Sequence, residues 1–395
     1  MLRLGPLDHA RDLQIFSSSE IKMRRERLLK WLRTESLDAC ILFSADNIYY
    51  YTGVALLSPW GRPLWYALKA TGESAIVGSG IELDSMRTSY FDDVIAYDDS
   101  TPSESGLEQA LKKFLGPKPL SLILEQNSQP PGLAERLCTS ASPVNGAGAL
   151  DGFIAECRIV KTDEEMALLR IGGRIAQVGA NEFLAVMRPG VTEAHVASAA
   201  VAAMNDAMAA LIPRALSSSY AYCQSGPRSL MPHLHPGGRH LAAGELVALN
   251  VFPVVAGYCV ELERTLTVGS PASEEVSRAL EAVTRAFELG KQMIRPGVQM
   301  GSIDRATRDS LASEGYGSCF RHGAGHAHGI MIGQAGREEL GELRAYNENI
   351  LRENMACSVE PGIFLSDIGA VRHSDVMMVT DSGGECITAF PVLFR

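Results

Sequence analysis

A repeat limits the possible folds of this chain more than any other feature. MRPGV at 187–191 returns as IRPGV at 294–298, an offset of 294 − 187 = 107, each time between one helical stretch and the next. GELVALN at 244–250 has its counterpart in ENMACSVE at 353–360, an offset of 360 − 250 = 110. Arg-Pro-Gly is a common way to end a helix. Two offsets this close, joining helix, turn, helix and then strand in the same order, predict a duplicated unit of about 110 residues. Each copy would supply a curved antiparallel sheet segment with helices behind it, and the related strands would meet near a pseudo-twofold axis. The repeat sets Asn250 against Glu360. Polar residues in otherwise apolar strands then converge from both copies on one cleft, the kind of concave place where small molecules bind.

The strand bearing Asn250 continues as ALNVFPVVAGYCVELERTLT over 248–267, two apolar runs joined through Gly257. Such a pattern predicts a β-hairpin. Glu261 and Glu263 inside it need cations, hydrogen bonds or a cavity if they are buried, and Glu261 can either point into a pocket or pair with Arg264 or His328. An edge hairpin with both glutamates facing water is the alternative.

At 395 residues the chain suits two domains, with expected bounds 1–158 and 159–395. An amphipathic helix over 19–36 precedes short apolar runs at 39–43, 64–69, 74–77, 94–97 and 120–124, with helices near 107–114 and 133–138. This predicts an α/β N-terminal domain, followed by an α+β domain built on the duplication. Between the first strands, SPWGRP at 58–63 displays Trp60 and Arg62 on a stiffened loop. The second part opens at KTDEE, 161–165, where Thr162 and Glu165 have capping-box spacing and start a helix toward Val186. A net charge of −10 argues against nucleic acid or an anionic membrane as the main partner and favours a small polar substrate. Eight cysteines without metal-ligand spacing suit a reducing compartment, and no stretch reads as a signal or membrane span, so a cytoplasmic location is expected.

Four further segments carry chemistry: PHLHP at 232–236, HGAGHAH at 322–328, GRE at 336–338, and SVEPG at 358–362, which holds Glu360. With the hairpin, in this order, they resemble the pita-bread family of creatinase, prolidase, aminopeptidase P and methionine aminopeptidase over nearly the whole chain. The metallopeptidases of that family hold two ions with Asp, Asp, His, Glu and Glu, and the corresponding positions here are Asn250, Glu261, His326, Glu360 and Ser374. Asn250 and Ser374 are poor ligands for a divalent ion, so the expectation is that no metal and no other cofactor is bound. LNVFPVVAGY at 249–258, LERTL at 262–266, GRP at 61–63, GRE at 336–338 and Gly325-His326 look like the creatinase branch.

That resemblance implies His233 as general acid/base, with His235 second, Glu263 and Glu360 as guanidinium anchors, and Arg62 and Arg337 as a clamp for a substrate carboxylate. It implies a homodimer in which Trp60 and Arg62 complete the partner's site. The chemistry is coherent, because two carboxylates suit the planar donors of a guanidinium and arginine suits a carboxylate in the same bidentate way. Tyr258, Cys259, Glu261, His326 and Ser374 would line the substrate; Trp60, Cys259, Glu261, His328 and Ser374 depart from creatinase. The expected activity is therefore a metal-independent C–N hydrolase acting on a guanidino, amidino or ureido carboxylic acid larger than creatine. Two alternatives stand beside it. One is a metal-dependent peptidase or other relative using Glu261, His326 and Glu360, which His322 favours. The other is a non-catalytic binding protein.

Overall fold

The helix Ser18–Thr34 begins where the Ser17 hydroxyl accepts from the Glu20 amide, and it buries Ile21, Leu28 and Leu32 on one side. Arg24 is buried with them, paired with Glu20 at 2.7 Å and lying over the rings of Phe16 and Tyr50. The computed structural model describes residues 2–4, 13–56, 61–118, 120–126, 128–137, 141–143, 148–214, 217–270, 273–332 and 337–392. They form two units: Met1–Cys157 with Arg214–Leu216 and Met331–Ala335, and a second unit made of the remainder. No helix among the described residues is long and apolar enough to cross a membrane.

The first unit is α/β. Its strands are β1 (Leu2–Leu4), β2 (Ala39–Leu42), β3 (Trp65–Lys69), β4 (Ser74–Ser79), β5 (Asp93–Tyr97), β6 (Leu120–Leu124) and β7 (Ala141–Pro143). They lie in the order β1-β5-β4-β3-β2-β6-β7. β2 pairs with β6, β4 with β5 and β6 with β7 in parallel, and the other pairs are antiparallel. Ile41, Ala67, Val77 and Ile95 pack against Leu107 and Leu111 of the helix Ser103–Leu115. The sequence pattern did not separate the helix Ala45–Thr52, because its ADNIYYYT is aromatic-rich and nearly all buried, which hides a helical period.

The second unit carries the duplication, in a sheet of β8 (Ser218–Ser225), β9 (Leu246–Val255), β10 (Tyr258–Cys259), β11 (Leu262–Thr267), β12 (Gly325–His328), β13 (Arg337–Leu343), β14 (Ala356–Val359), β15 (Gly362–Leu365), β16 (Gly369–Thr380) and β17 (Gly383–Cys386). The main path runs β10-β9-β11-β16-β14-β12-β13, and β8 lies on β9. The series β8, β9, β11 is thus answered by β12, β14, β16, with the pseudo-twofold between β11 and β16. Helices Asp163–Val186 and Glu193–Leu211 precede the first series; Glu274–Gln292 and Met300–Ser313 precede the second. Backbone bonds repeat with the strands. Thr192 bridges to His240 and Gln299 to Ile350, offsets of 299 − 192 = 107 and 350 − 240 = 110. Gly190 N donates to Leu241 O, as Gly297 N does to Leu351 O, each at 2.9 Å.

The hairpin turns at Ala256-Gly257, where φ is 49° and 81°, the positive pair that suits a two-residue turn between twisted strands. Its far end is tied down by the Tyr258 hydroxyl, which donates to Glu165 at 2.7 Å. The other oxygen of Glu165 accepts from the Thr162 amide, completing the expected capping box. Glu261 and Glu263 are only 8% and 7% exposed, so the hairpin is not an edge with its carboxylates in water.

Candidate active site

Directly paired residues of an antiparallel sheet share a face. Tyr222 pairs with Asn250, Asn250 with Glu263 and Glu263 with Ser374, so one polar row crosses β8, β9, β11 and β16. Val359 of β14 pairs with Asp375, and the same register extended by one residue sets Glu360 opposite Ser374. Alternation sends Arg264 and Asp375 to the other face, where they pair at 2.8 Å. That removes Arg264 as a partner of Glu261, while His328 faces it, with Nε2 3.9 Å from Glu261 Oε1, beyond hydrogen-bond distance.

β12 supplies His326 and His328, two residues apart and so on one face. Gly325 allows this strand to close on β14, since a Cβ there would lie 2.0 Å from the Ser358 carbonyl oxygen. His326 Nε2 lies 3.6 Å from Glu261 Oε2 and 3.8 Å from Glu360 Oε2. Both imidazoles are oriented from behind: His326 Nδ1 is 3.1 Å from the Ala327 carbonyl oxygen and His328 Nδ1 is 3.3 Å from that of Cys259. A carbonyl only accepts, so each Nδ1 carries the hydrogen and each Nε2 of a neutral ring turns a lone pair toward the carboxylates. The Ser374 hydroxyl donates to Glu261 Oε1 at 2.7 Å.

Crowding splits the acids. Burial, reinforced by the charge of Glu261, pushes Glu360 up to about 8. Burial opposes the charge of Glu261 as well, yet a proton on the neighbouring His326 in the ion-free site and a hydrogen bond from Glu360 hold it well below the usual carboxylate range. Burial also raises Glu263, against the opposing pull of its ion pair with Arg372. His328 is pushed down to about 3 by burial and stays neutral.

Asn250 serves a different purpose from a ligand. Its amide donates to Gln224 Oε1 at 3.2 Å, and Gln224 Nε2 donates to the carbonyls of Pro232 and Leu234 at 3.0 and 2.9 Å. These two carbonyls bracket His233, which is exposed, while His235 sets its ring edge against Tyr222. Arg62, in the first unit, is exposed and pairs with Asp99 at 3.2 Å. Trp60 lies outside the described residues, as does the side chain of Arg337, whose backbone belongs to β13. Glu261, Glu263, His326, Glu360 and Ser374 are thus brought together, with Cys259 behind them; Tyr258 is engaged with the helix cap instead. Sequence reasoning missed Gln224 and Arg372. The second was findable, because Arg372 stands two residues before Ser374 and so on its face.

The residues present fit a metal ion. One ligand atom from each of Glu261, His326 and His328 lies within 4.8 Å of the others, and all three residues are buried. Two histidines and a carboxylate form a recognised donor set for one transition-metal ion.

Residues 167–381 match the model of metallopeptidase family M24, and residues 24–160 match that of the creatinase/prolidase N-terminal domain. The chain is 27% identical over 374 residues to the putative dipeptidase YkvY of Bacillus subtilis, covering 93% of this chain and 98% of that protein. It is 29% identical over 385 residues to the creatinase of a Bacillus species, covering 95% and 92%. The crystal structure of the prolidase from Pyrococcus horikoshii superposes with a TM-score of 0.78 at 23% identity, over 94% of this chain and 100% of that one, which shows the pita-bread fold. These findings overturn the expectation of a metal-independent amidinohydrolase and of a guanidino substrate. The matched family is one of metallopeptidases, a putative dipeptidase stands beside the creatinase, and Glu261, His326 and His328 form a buried group able to hold an ion. The expectation failed because it counted the ligands lost at Asn250 and Ser374 and not the histidine that the fold turns toward Glu261.

Proposed function

The chain belongs to metallopeptidase family M24, and on that premise we propose that it hydrolyses the peptide bond of small peptides, with a divalent metal ion held by Glu261, His326 and Glu360. The observation that carries this proposal is the placement of His326 Nε2 between the two carboxylates, 3.6 and 3.8 Å from them, with all three side chains largely shielded from solvent. Likeness to the putative dipeptidase over 93% of the chain supports peptides as the substrate class. A bound ion there supplies Lewis acidity to a carbonyl and lowers the pKa of water.

The chain's own residues supply the rest. Ser374 fixes the carboxylate of Glu261 through Oε1 and leaves Oε2 facing His326. Glu263, steadied by Arg372, offers negative charge for the ammonium of a peptide amino terminus. His233 is the proposed proton carrier to the departing amine, and Arg62 and Arg337 keep their proposed role at a substrate carboxylate, with a homodimer as part of the same proposal.

Gln224 is a positioning residue for His233. Gln224→Ala is expected to lower kcat/KM by about tenfold, ~1.4 kcal/mol, by freeing the loop that bears His233, while the metal content stays as in the parent. Steady-state kinetics and elemental analysis of the same sample check both halves. The proposal as a whole is tested by amine release from a panel of dipeptides, with and without proline, before and after chelation. Turnover that stops on chelation and returns with added ion is expected; turnover of no peptide under any ion would overturn it.

A further inference from the structure

His328 lies outside the five positions at which the resemblance places metal ligands. We propose that it is a ligand of this chain's own, which joins Glu261 and His326 on the one ion proposed above and gives that ion a second nitrogen donor beside the carboxylates. This rests on the metal-dependent function proposed above.

The side chain is 1% exposed, and its Nε2 has no hydrogen-bond partner among the described residues. A buried histidine serving only the core is normally bonded at both nitrogens. Here Nδ1 is spent on the Cys259 carbonyl, and that bond aims the unprotonated Nε2 at Glu261. This backing, a ring N–H given to a carbonyl while the other nitrogen points into the site, is the usual support of a metal-ligating histidine. His326 is backed in the same way by Ala327.

Spacing agrees. Ligand atoms about 2.0–2.1 Å from a tetrahedral ion lie roughly 3.3 Å apart. The separations of 3.6 and 3.9 Å run to the two different oxygens of Glu261, and with one ligand atom from each residue the three atoms lie within 4.8 Å of one another, at most about 1.5 Å above this spacing, so side-chain rotations draw the set together on binding.

The same residues account for a single ion. A two-metal centre needs bridging anions. Asn250 carries no charge and gives its amide to Gln224, and Ser374 spends its hydroxyl on Glu261. His328 adds a second imidazole to the one at His326, while the anionic oxygens at Asn250 and Ser374 are absent, which shifts preference from hard ions such as Mg2+ and Mn2+ toward Zn2+ and Co2+.

The test is titration of the chelated protein with ZnCl2 by calorimetry and with CoCl2 by visible absorption, on the parent, His326→Ala, His328→Phe and His328→Gln. Phenylalanine keeps the packing volume, and glutamine keeps a polar group should phenylalanine not fold; melting curves without metal establish which variants are folded. The expected result is one equivalent of Zn2+ per parent chain, affinity reduced on the order of 100-fold in either His328 variant, and a changed Co2+ spectrum. Parent-like affinity and spectrum in a folded His328 variant, with binding lost in His326→Ala, would overturn the role of His328 and leave the metal-dependent function standing. No binding by the parent would overturn both. Two equivalents in the parent would contradict the single-ion site.

Discussion

His326→Ala is expected to reduce ion-dependent peptide hydrolysis on the order of 10³-fold, about 4 kcal/mol of transition-state stabilisation. The magnitude follows from position. Nε2 of His326 is the atom that approaches both Glu261 and Glu360, at 3.6 and 3.8 Å. Without the imidazole the two carboxyl groups face one another in a buried cleft, and proton sharing between them replaces ion binding. The ring is 6% exposed and its neighbours are polar, so water can enter the space it leaves, and stability should fall by only about 1–2 kcal/mol. Measuring kcat/KM beside a urea unfolding curve separates the two effects. An equal loss in both would mean that His326 is structural.

The largest effect on stability is expected at Asp375. Its side chain is fully buried and accepts from Arg264 at 2.8 Å, Lys291 at 2.9 Å and Thr388 at 3.2 Å. Asp375→Asn leaves two cations, one of them fully buried, without their anion, and breaking a buried pair in this way costs about 3–5 kcal/mol. Arg264 also donates to the carbonyl oxygens of Glu263 and Ser374, both at 2.8 Å, and so clamps β11 to β16 behind the site. Destabilisation should therefore come with reduced metal affinity. Urea unfolding of the variant checks the first, and a midpoint unchanged from the parent would contradict it.

Much of this architecture was legible because it is periodic. Offsets of 107 and 110 in the sequence return as the bridges of Thr192 to His240 and Gln299 to Ile350. Glu261 and Glu263 inside apolar runs signalled a site, and the fold buries both. The rest depended on distant partners. Nothing local says that the Cys259 carbonyl orients His328, 69 residues away, or that Gln224 joins Asn250 to the loop of His233. The absence of metal was inferred from Asn250 and Ser374 alone, since position-by-position comparison registers a ligand that is lost and overlooks one gained from a neighbouring strand. Whether Glu261 met Arg264, His328 or the pocket stayed open in the sequence, because the far-strand partner of Arg264, Asp375, lies 111 residues away.

Metal-dependent peptide hydrolysis is tested most directly by the rate of dipeptide cleavage as Zn2+ or Co2+ is added in fractions of an equivalent to the chelated protein. The rate should start near zero, rise in proportion to the ion and level off at one equivalent per chain. Full activity in the ion-free protein, or none at any loading, would contradict the account.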